Sequence, residues 1–395
     1  MSSAPSDRIP TEIWQKILRF AIYVPIFLEI DPATVHGAEA IPKYCDDRQY
    51  WDTERDKNAL QRVCFAWNVY LRRFQHRFVR LADVFHGFVP VESLCRAYRI
   101  YAGDCETGAC VACWRVDINQ EWNIPIHQSD GKEIVWNLEI VEIEIDCENF
   151  IDYLCQDNRL ANLSAVVRSG YQFPKLEQLC NLRFYCGVRD DMLQHSSNIT
   201  TLHVANMTRF FSHFLPQLRH LSIYLSPRTS PEFVEWLQDH GSRLLTLSIS
   251  GGLNALYDIY HSIWTFCPEL TTLHLRIRSK WTAPPLNHPI KDLCSGHLHP
   301  NAKRQPCAYC GGAHPYIMDP PVQDLLDAGI PTVALLHAWN IVFRYTNIPC
   351  VAAILRVHGI SLVDRNRLTV VDYWVSQLET IRRGVRGYDK KFFAF

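Results

Sequence analysis

An excess of charge of either sign is missing from this chain: 40 Lys and Arg stand against 41 Asp and Glu, a formal net charge of −1. A nucleic-acid groove or an anionic membrane face calls for a broad cationic field, so neither is expected as a partner. Long apolar runs are also missing. A membrane-spanning helix needs about 18 or more consecutive apolar residues, and the longest candidate, Phe20 to Ile30, is broken by Pro25 and Glu29. The first residues, Met-Ser-Ser-Ala-Pro-Ser-Asp-Arg, have no cationic start leading into an apolar core, so export is not expected. Catalytic motifs are absent too. There is no Gly-x-Ser-x-Gly, no phosphate loop ending in Gly-Lys-Ser/Thr and no His-Glu-x-x-His. The expectation is a protein without an active site of its own.

What is present points to a folded, multi-unit chain. Hydrophobic residues make up 48% and charged residues 21%, enough for a sizeable core, and 395 residues exceed what one ordinary core holds. The 15 cysteines are scattered through candidate helices and strands. That usage fits reduced thiols in the cytoplasm or nucleus better than a disulfide framework.

Near the N-terminus, Ile9-Pro10-Thr11-Glu12-Ile13-Trp14-Gln15-Lys16-Ile17-Leu18 carries its own helix start. Pro10 suits the beginning of a helix, where a missing N–H is harmless, and Glu12 complements the helix dipole. Ile9, Ile13 and Ile17 recur at a spacing of four, with Trp14, Leu18 and Ala21 beside them. Leu60, Val63, Cys64, Trp67 and Leu71 draw a similar stripe, read as a second helix. Between the two, residues 23–58 hold Pro25, Asp31-Pro32, Gly37, Pro42 and a polar run from Asp46 to Asn58, and read as a surface loop.

These two segments together resemble the F-box, over roughly residues 8–82, in the variant with Trp inside the first helix that is similar to fungal F-box proteins. The family opens with an apolar residue, Pro and Glu, and closes with Val-Cys-x-x-Trp, here Val63, Cys64 and Trp67. The resemblance implies that Ile9, Pro10, Ile13, Trp14, Ile17, Leu18, Leu60, Val63, Cys64 and Trp67 dock onto the Skp-type adaptor of a Skp–cullin–F-box ubiquitin ligase. The insert at 23–58 departs from the family, whose helices are joined by a short link.

The middle of the chain repeats a second pattern. Leu218-x-x-Leu221-x-Ile223, Leu244-x-x-Leu247-x-Ile249, Leu270-x-x-Leu273-x-Leu275 and Ile199-x-x-Leu202-x-Val204 share one phase. Leu176-x-x-Leu179 and Leu160-x-x-Leu163 read as further openings. The period is about 20–26 residues. Each unit supplies a short strand with inward apolar residues and a return, such as Ser230–His240. This resembles a degenerate leucine-rich-repeat solenoid, which implies a surface that binds a target protein. Leu138 to Ile145 alternates apolar and acidic residues, so Glu139, Glu142 and Glu144 read as a solvated face. His203, His220 and His274 are likewise expected to face solvent.

Two cysteine clusters have metal-like spacing. Cys294, His297, Cys307 and Cys310 could supply four zinc ligands from a proline-rich segment, with His299 and His314 as alternates. The competing reading is a loop with incidental Cys and His. Cys105, Cys110 and Cys113, with Cys95 upstream, form a weaker set. Farther on, Asp324 to Val342 is helical in part, broken by Gly329 and Pro331. Leu368 to Val375 reads as β-rich, with a helix closing after it.

The expected fold class is α/β. An F-box-like helical domain spans 1–85 with its insert at 23–58, a leucine-rich-repeat-like solenoid spans 86–283, a Pro/Cys/His-rich loop spans 284–322, and a capping α/β region spans 323–395. The expected function is substrate recognition for a Skp–cullin–F-box ligase, with the adaptor, the cullin core and an unknown target protein as partners, no nucleic acid and no membrane. A non-ligase interaction scaffold and a zinc-stabilised protein of unknown activity are the alternatives.

Overall fold

A computed structural model describes residues 10–24, 26–36, 44, 46–103, 136–143, 154, 160–169, 179, 181–187, 198–204, 215–225, 230–251, 259–276, 282–300, 316–319, 322–335, 348–364 and 367–382. The protein is α/β and divides into two compact units, 1–224 and 225–395.

The first unit begins with helices α1 (Thr11–Ala21), α2 (Pro32–His36), α3 (Arg48–Gln61), α4 (Phe65–Leu71) and α5 (Leu81–Phe85). Pro10 caps α1, and its carbonyl accepts from the Ile13 amide at 3.0 Å. Leu60 and Trp67 do not share a helix, contrary to the single stripe expected. Cys64 is extended and starts a new helix, so Val63 and Cys64 fall in the turn and are exposed. The break lets Leu60 and Trp67 both reach the cluster of Leu18, Ile22 and Leu71. One continuous helix would have buried Val63 and Cys64 instead.

Seven strands follow one another in this unit: β1 (Phe78–Arg80), β2 (Arg99–Ala102), β3 (Ile140–Ile143), β4 (Ala165–Ser169), β5 (Phe184–Gly187), β6 (Thr201–Val204) and β7 (His220–Leu225). Each pairs in parallel with the next. Val79, Ile100, Val141, Val166, Tyr185, Leu202 and Leu221 share one register and are all buried. The phase differs from expectation at two places. β5 starts at Phe184, so Leu182 holds the position of Leu218, and the Leu176 opening lies six residues too early. Leu163 holds that same position before β4, so the Leu160 opening lies three residues too early. Turn hydrogen bonds mark the true frame: the amides of Leu163, Leu182 and Leu218 donate to the carbonyls of Leu160, Leu179 and Leu215.

The second unit repeats the plan with β8 (Thr246–Gly251), β9 (Thr272–Arg276), β10 (Asp292–Pro300), β12 (Thr332–Leu335) and β13 (Ser361–Val363), paired in parallel in that order; β11 (Tyr316–Asp319) runs antiparallel to β10. Leu247, Leu273, Leu293, Val333 and Leu362 form its buried register. Helices α6 (Ser230–His240), α7 (Ile259–Phe266), α8 (Val322–Ala328) and α9 (Ile348–Val357) lie between strands, and α10 (Val370–Arg382) closes the described chain. Gly329, at a φ of 62°, ends α8 in a conformation that other residues resist. The β-rich reading of Leu368–Val375 is overturned. Thr369 and Asp372 form a reciprocal cap: Thr369 Oγ1 donates to Asp372 Oδ2 at 2.7 Å, and the Asp372 amide donates back to Thr369 Oγ1 at 3.1 Å. That cap starts a helix at Val370 despite two β-branched residues.

Candidate functional site

Both halves of the N-terminal motif meet in the first unit. Trp14 of α1 and Trp67 of α4 pack with ring centroids 5.2 Å apart. Leu18 and Leu71, one turn further along each helix, join the same core. This leaves large apolar side chains facing outward. Ile13 and Ile17 are exposed on α1, as are Val63 in the turn and Val69 on α4. Of the expected docking residues, then, Pro10, Ile13, Ile17, Val63 and Cys64 are exposed. Trp14, Leu60 and Trp67 are partly buried, and Leu18 is buried. Ile9 lies outside the described residues. The sequence reading missed Phe20 and Phe65, which are 83% and 84% exposed. The signal was available: Phe20 continues the Ile13–Ile17 side of α1, and Phe65 stands off the Leu60–Leu71 stripe, where water contact is unfavourable without a partner.

The helices are bound firmly to the first strand. Arg77 donates to the Ile22 carbonyl at 3.0 Å and to Glu54 Oε1 at 3.3 Å. Lys57, buried in α3, pairs with Glu54 and donates to the Phe74 carbonyl at 3.3 Å. Arg80 pairs with Asp47 at 2.5 Å.

Residues 23–58 are not the surface loop expected. The described part of this segment lies across the sheet face opposite the Val79–Leu221 register. Tyr44 packs against Ile140, Ala165, Val167, Phe184 and Cys186, while Phe27 and Tyr50 pack on Phe78. Arg99 is fully buried among them. Its guanidinium lies 4.0 Å from the Phe27 ring centroid and 4.5 Å from that of Tyr44, donates to the Phe27 carbonyl at 2.7 Å and pairs with Glu142 at 2.5 Å. Asp31 caps α2 and accepts from the hydroxyls of Thr34, Thr200 and Thr201, each at 2.8 Å. Glu142 is therefore buried, not solvated, because this strap covers the acidic face of β3. His274 is buried as well, held in the second unit beside Arg367 at 3.2 Å. His203 and His220 are half-buried.

The zinc candidates are not brought together among the described residues. Cys294 is buried in β10 against Ala334 and Val363. His297 lies on the same strand, in register with Asp319, while Cys307 and Cys310 are outside the described residues. Cys95 is buried in the turn Val91–Arg96, and Cys105, Cys110 and Cys113 are outside the described residues. Among the described residues no group of three His, Cys, Asp or Glu could hold a metal ion. None of their helices is long and apolar enough to cross a membrane.

No protein-family model, curated protein or solved structure matches this chain.

Proposed function

We propose that this protein is a substrate-recognition subunit of a Skp–cullin–F-box ubiquitin ligase, working in the cytoplasm or nucleus. One observation carries the reading: the two halves of the F-box-like motif pack together through Trp14 and Trp67 yet leave Ile13, Ile17 and Val63 in water. Exposed apolar side chains on fixed helices are what an obligate adaptor would cover. Burying each is worth on the order of 1.5–3 kcal/mol. The described part of the insert lies on the sheet, and these side chains are exposed. The consecutive parallel strands, each contributing to one apolar register, support a leucine-rich-repeat-like solenoid that holds the target. Catalysis then belongs to the partners, which this subunit serves by proximity.

Adaptor capture tests the proposal. The double variant Ile13→Asp/Val63→Asp changes two exposed residues, so folding should survive. Capture of a purified Skp-type adaptor should fall by more than about 100-fold, since truncating an interface anchor costs about 2 kcal/mol or more. Wild-type-like capture by this variant would rule the reading out. Trp67→Ala is a poorer probe, because Trp67 also holds α1 to α4.

A further inference from the structure

The chain as a whole is almost neutral, but the docking helices are not. On α1, Lys16 shares one side with Ile13, Ile17 and Phe20, at the i, i+3, i+4, i+7 spacing. On α4 and its 3-10 extension Arg72–Phe74, the residues Phe65, Val69, Arg72 and Arg73 share one side by similar spacing. Arg19 stands in the last turn of α1, and Arg62 follows α3. All five cations are exposed, and Glu12 is the only carboxylate within residues 11–21 and 62–74. Their neutralisation differs from that of α3, where Arg55 pairs with Asp52 and Lys57 with Glu54. Among the described residues Lys16, Arg19, Arg62 and Arg73 make no ion pair, and Arg72 donates to the Asn68 side-chain oxygen at 3.0 Å.

Interleaving cations with exposed apolar residues constrains what can cover them. A purely apolar partner would strip water from the charges without replacing it, which is costly. An acidic rim restores the lost hydration and attracts the partner over a Debye length. An anionic membrane is disfavoured by the same arrangement. A helix lying in a bilayer interface keeps its cations on the face opposite its apolar one, whereas here Lys16 sits among Ile13, Ile17 and Phe20.

Resting on the adaptor reading, we infer that the partner surface is a protein groove whose apolar floor is rimmed by carboxylates, and that Lys16, Arg62, Arg72 and Arg73 set the rate at which it is found. Association of the full chain with a purified Skp-type adaptor, measured at about 0.05 M and about 0.5 M salt, tests this. The wild-type association rate should fall about ten-fold or more with added salt. Lys16→Glu/Arg72→Glu/Arg73→Glu should start about ten-fold slower at low salt, lose most of that salt dependence, and change the dissociation rate much less. Lys16→Gln/Arg72→Gln/Arg73→Gln should lie between the two.

If both charge variants bind as the wild type does, while Ile13→Asp/Val63→Asp does not bind, the acidic rim is overturned and the adaptor reading stands. A wild-type chain that ignores the adaptor overturns both. Uptake of the wild-type chain, but not the charge-reversed one, by vesicles of anionic phospholipid, without adaptor binding, replaces the protein partner with a membrane.

Discussion

Arg99 is the side chain on which the first unit turns. It is a long cation with 0% exposure at the first position of β2, where a β-branched or aromatic residue would be the ordinary choice. It is tolerable there because both terminal nitrogens of the charge are answered, by Glu142 and by the Phe27 carbonyl, with the Phe27 and Tyr44 rings beside it; only its Nε has no hydrogen-bond partner among the described residues. Such a pair is not in itself a large source of stability, since two ions had to leave water to form it. Its importance appears when one partner is removed. Arg99→Met leaves the Glu142 carboxylate buried without its cationic partner and should lower the unfolding free energy by about 3–5 kcal/mol. Arg99→Met/Glu142→Leu should be clearly more stable than either single variant. Urea titration of the four proteins gives the cycle, and a double variant no better than Arg99→Met would refute this account of the pair.

At the scale of elements, the segment between the docking helices is the main departure from what its sequence announced. Proline, glycine and a polar run made 23–58 look like a loop, and none of those cues says that Phe27, Tyr44 and Tyr50 have a surface waiting for them. That surface is built from residues up to 170 positions away, as the Asp31–Thr201 hydrogen bond shows. Pairing at that distance leaves no mark on a local window. The acidic alternation of β3 misled for the same reason, because period-two polarity marks a face and not what covers it. In contrast, α1 was legible from Pro10, Glu12 and its apolar spacing, which are local causes. The strap should behave as core. Phe27→Ala, which empties a site bounded by Tyr50, Phe78 and Arg99, should cost about 3–5 kcal/mol. Described amides of 26–36 should exchange hydrogen on the timescale of β1 and β2 amides. Exchange as fast as that of an open loop would show that the strap does not hold.

Across the molecule, the leucine frames made the parallel strands foreseeable from β6 to β9, because each strand there spells its own apolar pair, whereas β10 falls in the segment 284–322 that read as a loop. They failed at β4 and β5, where Val166 and Tyr185 take the register position and the leucines lie earlier, in the turns. A feature with no sequence signature at all is the acid response, to which three half-buried imidazoles contribute. His76 and His220 lie in the first unit and His288 in the second. Burial depresses the pKa of all three. Lys57 adds to the effect at His76 and Arg219 at His220, against partial opposition from Glu54 and Asp31 respectively. At His288, Nε2 faces the Cys267 carbonyl at 3.2 Å, a contact that opposes the depression. A folded-state pKa below the unfolded value of 6.5 means that the unfolded chain takes up protons first as pH falls. The neutral imidazoles therefore contribute full stability above about pH 6.5, and that contribution is lost progressively below it. The urea midpoint should drop between about pH 7.5 and about pH 5.5, before ordinary carboxylates titrate. His220→Gln, which cannot take up the proton, should reduce that slope. A midpoint that stays level or rises over this range would show that these imidazoles are not held neutral by the fold.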